Sequence, residues 1–144
     1  MKLVTGHDET IAAWLEQKFG VIVVQTPRLI LGTIDDQGVL RGAFVLTWRT
    51  ETTAELHLYG RTSNDTWRTL FRAAFGELGV YRLEVHTNTW NKSIKRNAPK
   101  FGFRFDGKVH DYYGPGEHAL AYSMTPHQCR WLKYVVAVQV PEKA

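Results

Sequence analysis

The chain has 144 residues, a mass of 16.5 kDa and a formal net charge of +4, with 44% hydrophobic and 22% charged residues. This suits one globular domain, residues 1–144, and five Trp, six Tyr and seven Phe exclude a disordered tail. A lone cysteine, Cys129, excludes an intramolecular disulfide and a cysteine-rich zinc site, and a start without an apolar signal core sets the expectation of a cytoplasmic protein with no membrane partner.

In chain order, residues 8–19 carry Ile11, Ala12, Trp14, Leu15 and Phe19 at helical spacing, with Thr5 and Asp8 as capping residues and Gly20 as the stop. Residues 21–25 are β-branched, and Pro27 separates them from a strand at 29–34. The turn Asp35-Asp36-Gln37-Gly38 leads into a strand at 39–48, and a second turn at 50–53 into a strand at 54–59, giving an antiparallel meander. Trp67, Leu70, Phe71, Ala74, Phe75 and Leu78 trace a helix over 64–78, ended by Gly79. Residues 81–87 alternate as a strand, so that 54–59, 64–78 and 81–87 form a βαβ unit with parallel strands. A short basic helix over 92–98 follows, capped by Asn91 and ended by Pro99 and Gly102. Residues 103–113 and 118–124 form a hairpin around Gly114-Pro115-Gly116, and a last extension, 125–144, is helical in the first half of 127–138. The fold class is α/β (α+β): a mixed, mostly antiparallel sheet with one parallel pair and flanking helices.

The stretch YRLEVHTNTWNKSIKRNAPKFGF, residues 81–103, carries the chemistry. An asparagine opening a short basic helix eleven residues before Gly102-Phe103 resembles the second cofactor-binding motif of the GNAT superfamily of N-acetyltransferases. The likeness is to the small bacterial or bacteriophage type, especially the subgroup similar to ribosomal-protein N-acetyltransferases. The element order over residues 8–124 is also that of the GNAT fold, with its first strand shortened or missing. The resemblance implies acetyl-CoA as cofactor and a primary amine as acceptor, on a protein N-terminus, a lysine or a small molecule. Asn91, Ser93 and Arg96 are then cofactor residues. The loop before the long helix, Gly60, Arg61, Thr62, Ser63 and Asn64, would meet the pyrophosphate, a helix N-terminus being a natural anion site. Leu58, Tyr59 and Gly60 would hold the thioester carbonyl through the backbone. Departures are plain: Asn64 and Thr66 stand where the family has small residues, and Ile94 where it has serine. Read without the resemblance, Ser63 or Asn64 is a helix cap, and Asn91 another.

Acetyl transfer needs a group to take the amine proton and one to neutralise the thiolate. Glu55 and His57 share one face of their strand, and Glu55 resembles the family's base position; Glu84 and His86 make a second same-face pair on the next strand. Tyr112 and Tyr113 are the candidate acids, against a packing role for both. The histidines, at 7, 57, 86, 110, 118 and 127, show no metal-ligand spacing, so no metal is expected. Asp106, Asp111 and Glu117 near the hairpin could attract a cationic amine. Two other functions compete: an inactive GNAT-fold assembly protein, and nucleic-acid binding through Trp90 and the basic helix, which lacks a matching motif. The apolar run at 134–140 either packs on the sheet or pairs two copies as a homodimer.

Overall fold

A computed structural model of the chain describes residues 1–21 and 28–132. Its elements run β1 (Lys2–Val4), α1 (Asp8–Phe19), β2 (Arg28–Ile34), β3 (Leu40–Trp48), β4 (Thr53–Gly60), α2 (Asn64–Phe75), β5 (Arg82–Asn88), α3 (Lys92–Phe101), β6 (Arg104–Gly114) and β7 (Glu117–Met124). A 3-10 turn at Arg130–Leu132 follows. The strands form one seven-stranded sheet in the order β1-β2-β3-β4-β5-β7-β6. Every pairing is antiparallel except β4 with β5, which are joined by α2 as a βαβ crossover. The first strand is the shortened one, three residues long.

Alternation along β4 sorts its side chains between two cores. Directly opposed residues of an antiparallel pair share a face. Leu56 opposes Leu46 and Leu58 opposes Phe44, which belong to the larger cluster built with Trp67, Leu70 and Phe71 of α2. His57 opposes Val45 and Tyr59 opposes Ala43, which belong to the second cluster, with Ile11 and Leu15 of α1. Helix α1 therefore covers one face of the sheet, and α2 packs on the other. Burying a phenylalanine or leucine fully, as with Phe44, Phe71 and Leu70, stabilises by about 1.5–3 kcal/mol each.

Three element ends differ from the sequence pattern. Helix α2 stops at Phe75 rather than at Leu78, because Gly76 leaves the helical region; its amide closes the last turn on the Arg72 carbonyl at 3.0 Å. Helix α3 runs through Pro99 to Phe101, since a proline in the final turn forfeits a single hydrogen bond while Phe101 packs on Trp67 and Trp131 at ring distances of 5.0 and 4.8 Å. Gly102, left-handed at φ 115°, then closes the helix, and the Phe103 amide donates back to the Ala98 carbonyl at 3.1 Å. Residues 127–132 hold a turn and a single 3-10 turn instead of the expected α-helix, with Leu132 buried against the α2 side. At the start of α1, His7 occupies the capping position without a side-chain bond, and Asp8 is the first helical residue, 3.3 Å from Arg28. Of the expected strand at 21–25 all but Val21 lies outside the described residues, as does the apolar run at 134–140. Among the described residues no helix is long and apolar enough to cross a membrane.

Candidate active site

The parallel pairing of β4 with β5 is short: Thr53 opposes Arg82, Ala54 opposes Leu83 and Glu55 opposes Glu84, and beyond that the two strands carry no further register. Past Glu55 the β5-facing backbone edge of β4 has no strand partner among the described residues. A cavity of about 510 Å³ opens there. Its walls come from both sides of the sheet. Leu56, Leu58, Val85 and Thr87 face α3, whose Asn91, Ser93 and Asn97 complete that end; His57, Tyr59 and His86 belong to the α1 face, and Tyr113 closes over them from β6. The splayed strands thus leave a slot through the sheet.

Glu55 organises the α1-side of the slot. Its side chain is 1% exposed, and both carboxylate oxygens are engaged. Oε1 meets the Arg49 guanidinium, while Oε2 accepts from the Tyr112 hydroxyl at 2.8 Å and lies 2.9 Å from His86 Nδ1. An ionised Glu55 has no proton to give, and in that state Nδ1 would carry the hydrogen and leave Nε2 of His86 unprotonated. The Tyr112 ring stacks on the His86 imidazole at 4.5 Å with an interplanar angle of 6°, fixing its plane. His57 Nε2, 3.8 Å from Glu55 Oε2, is beyond hydrogen-bond reach.

Burial lowers the pKa of both histidines below the ordinary value. For His57 burial is the largest cause, and the charge of Arg49 adds to it. For His86 burial again leads; Glu84 pulls upward, and Arg49 and Arg82 push down. Burial raises Tyr112 and Tyr113 above the usual phenol range, with Tyr59 adding to the effect at Tyr113, so both hydroxyls keep their protons at neutral pH.

No family model matches this sequence, and no curated protein does either. Solved structures do match in shape. A chimera of the Vibrio cholerae spermidine N-acetyltransferase SpeG and hSSAT superposes with a TM-score of 0.67 at 16% identity, over 92% of this chain and 99% of the other. The aminoglycoside 6'-N-acetyltransferase of Enterococcus faecium gives 0.60 at 12% identity, over 87% and 97%. A GNAT family acetyltransferase of Bacillus anthracis gives 0.59 at 16% identity, over 67% and 65%. The chain has the GNAT fold. In that frame the splay of β4 from β5 is the feature around which the residues expected from the sequence can be placed.

Glu55, His57 and Tyr112 come together as one cluster, and Tyr113 joins them at the cavity wall. Glu84 does not: it accepts from Arg82 Nε at 2.8 Å and leaves His86 to Glu55. Asn91 lines the cavity while capping α3; its Oδ1 accepts from the Ile94 amide at 3.1 Å and its Nδ2 donates to Thr87 Oγ1 at 2.9 Å. Ser93 lines the same wall, accepting from Asn97 at 3.3 Å, whereas Arg96 is exposed and outside the wall. At the end of β4 Leu58 and Tyr59 line the cavity, as does Thr62 in the loop before α2. Gly60 and Arg61 are tied to the neighbouring strands: the Arg61 amide donates to the Arg41 carbonyl at 3.0 Å, and a Cβ on Gly60 would come within 2.4 Å of that carbonyl. Ser63 and Thr66 form a capping box that uses the amides of both, and Asn64 and Asp65 open α2 with an exposed acid at its first turn. Arg49 was not among the sequence candidates. The signal was present, for Arg49 follows Thr47 by two residues and Thr47 opposes Glu55, so the turn at 50–53 brings the two side chains to one face.

Proposed function

We propose that the protein is an acetyl-CoA-dependent N-acetyltransferase in which His86 takes the proton of the attacking amine. The observation that carries this reading is His86 at the cavity wall where β4 and β5 part, its Nδ1 against Glu55 and its ring stacked on Tyr112, an arrangement that leaves Nε2 to accept a proton when Glu55 is ionised. The cavity fits the pantetheine arm of coenzyme A. Its α3-side wall pairs apolar Leu56, Trp67 and Phe101 with the uncharged amides and hydroxyls of Asn91, Ser93, Asn97 and Thr87, which matches a chain of amide groups without charge. The α2 N-terminus is less open than the sequence resemblance implies. Its capping box occupies two amides and Asp65 adds a negative charge, so the pyrophosphate would rest on the remaining first-turn amides, with Arg61 in the loop just before them.

Bound acetyl-CoA supplies an acyl group already activated as a thioester. The chain's own residues do the rest. An amine entering from the α1 face meets His86 Nε2, which accepts its proton; the resulting imidazolium is stabilised by Glu55, whose own charge Arg49 holds in place. The unpartnered edge of β4 near Leu58 to Gly60 offers amide N–H groups to the carbonyl oxygen as charge develops. Tyr113, part of the cavity lining and protonated at neutral pH, would donate to the departing thiolate. Glu55, sealed from the cavity by its partners, positions His86 and does not touch the amine. The primary acceptor is an amine, and the likeness to the ribosomal-protein subgroup rests on the 81–103 motif alone. Titration calorimetry with acetyl-CoA and free CoA, followed by an assay of amine-dependent thiol release, tests the proposal. Micromolar binding with thiol release supports it; no binding by a folded protein overturns it.

A further inference from the structure

The α1-side mouth of the slot is aromatic. Tyr59 and Tyr113 line the cavity, and each continues into further rings. Phe19 lies 5.8 Å from Tyr59, and Trp14 lies 5.6 Å from Phe19. On the other flank Tyr112 meets Tyr113 edge-on at 5.0 Å and stacks on His86 at 4.5 Å. Tyr113 and Phe19 are 48% and 41% exposed, so rings are available to an incoming molecule rather than consumed in the core.

Among the described residues lining the cavity there is no Asp, Glu, Lys or Arg. Three carboxylates on the strands around it already hold cations. Glu55 holds Arg49, Glu84 holds Arg82 at 2.8 Å, and Asp106 holds Arg82 at 3.0 Å and Arg104 at 3.4 Å. Asp111 turns its Oδ1 to the Gly116 amide at 2.7 Å. A second or third ammonium group inside the cavity would meet no carboxylate of the described lining, the exposed Asp111 and Glu117 of the hairpin lying outside it, which is unfavourable once water is displaced. An aromatic body suits the walls, because ring pairs in edge or offset contact attract beyond the area they bury.

We propose that the acceptor is a small monoamine carried on an aromatic ring, an arylalkylamine, and not a polycation. This rests on the acetyltransferase reading and names the acceptor for the same site. Tyr59 supplies the ring wall and takes no part in the proton transfers, which makes it the position to vary. The test compares kcat/KM for 2-phenylethylamine and for spermidine at saturating acetyl-CoA, in the unaltered protein, Tyr59→Phe and Tyr59→Leu, with cofactor binding followed by calorimetry and folding by thermal melting. The expected result is a preference for phenylethylamine of at least about tenfold, kept by Tyr59→Phe and reduced about three- to tenfold by Tyr59→Leu through KM. Acetyl-CoA binding with spermidine equal or preferred overturns the inference and leaves the acetyltransferase reading standing. A preference that Tyr59→Leu does not change, with the fold intact, removes the aromatic wall as its cause and overturns the inference in that form. Failure of acetyl-CoA to bind a folded protein overturns both.

Discussion

Glu55 is a buried carboxylate with three donors around it, and what it does to His86 differs from what it would do as a base itself. Removing the imidazole should cost the proton transfer while leaving the cofactor wall alone. His86→Gln is therefore expected to lower kcat by about 10²-fold or more with acetyl-CoA affinity unchanged by calorimetry. Glu55→Gln keeps the shape and removes the charge. Arg49 is then uncompensated beside His86, so the imidazole is harder still to protonate, and the acid limb of the kcat/KM profile should move to lower pH. A merely structural glutamate would not move that limb. Loss of activity in Glu55→Gln with His86→Gln fully active would make the carboxylate the base instead. Much of this cluster is legible in the sequence, because Glu55 with His57 and Glu84 with His86 follow from strand alternation alone. The pairing of Glu55 with His86 is not, since it depends on the register Glu55 opposite Glu84 and on Arg82 drawing Glu84 away.

The element that most clearly separates local pattern from tertiary packing is α3. A proline at 99 argues for a helix ending before it, yet the helix runs on, because Phe101 is held among Trp67, Phe71 and Trp131 and the left-handed Gly102 completes the turn. The long-range aromatic contact has no signature in a short sequence window. By contrast α1, β3 and β4 were readable to within a residue or so, since their apolar periodicity and bounding turns lie within each segment. Gly102 also carries a close approach: a Cβ there would lie 1.9 Å from the Gln128 carbonyl, where the chain passes after β7. Gly102→Ala combines a strained φ with that backbone clash, and a loss of about 2 kcal/mol or more in stability is expected by urea denaturation. Because α3 supplies the Asn91 and Ser93 wall of the cavity, acetyl-CoA affinity should fall with it. A loss of a few tenths of a kcal/mol would mean that the corner between α3 and β6 gives way freely and that it does not fix the cavity wall.

For the molecule as a whole, the slot through the sheet places ionisable groups where a continuous core would have none, and this makes stability depend on pH in a defined window. His57 and His86 are both held below the ordinary histidine value of 6.5, burial being the first cause at each. The neutral form is favoured in the fold, so their contribution is fully present above 6.5. As the pH falls below that value the unfolded chain takes up protons first, and stability declines until the folded histidines titrate too. Asp35, lowered by the Val39 amide and then by Arg41, acts in the same direction, but its contribution is present down to 3.8 and is lost only below it. The two windows are separate. Urea midpoints measured at about pH 7.5 and about pH 5.5 should therefore drop for the unaltered protein, and drop less when His57→Gln and His86→Gln are combined. An equal drop in both would show that the histidines are as easily protonated in the fold as out of it. That result would also remove burial as the cause that holds His86 neutral, leaving it the basicity of an ordinary histidine.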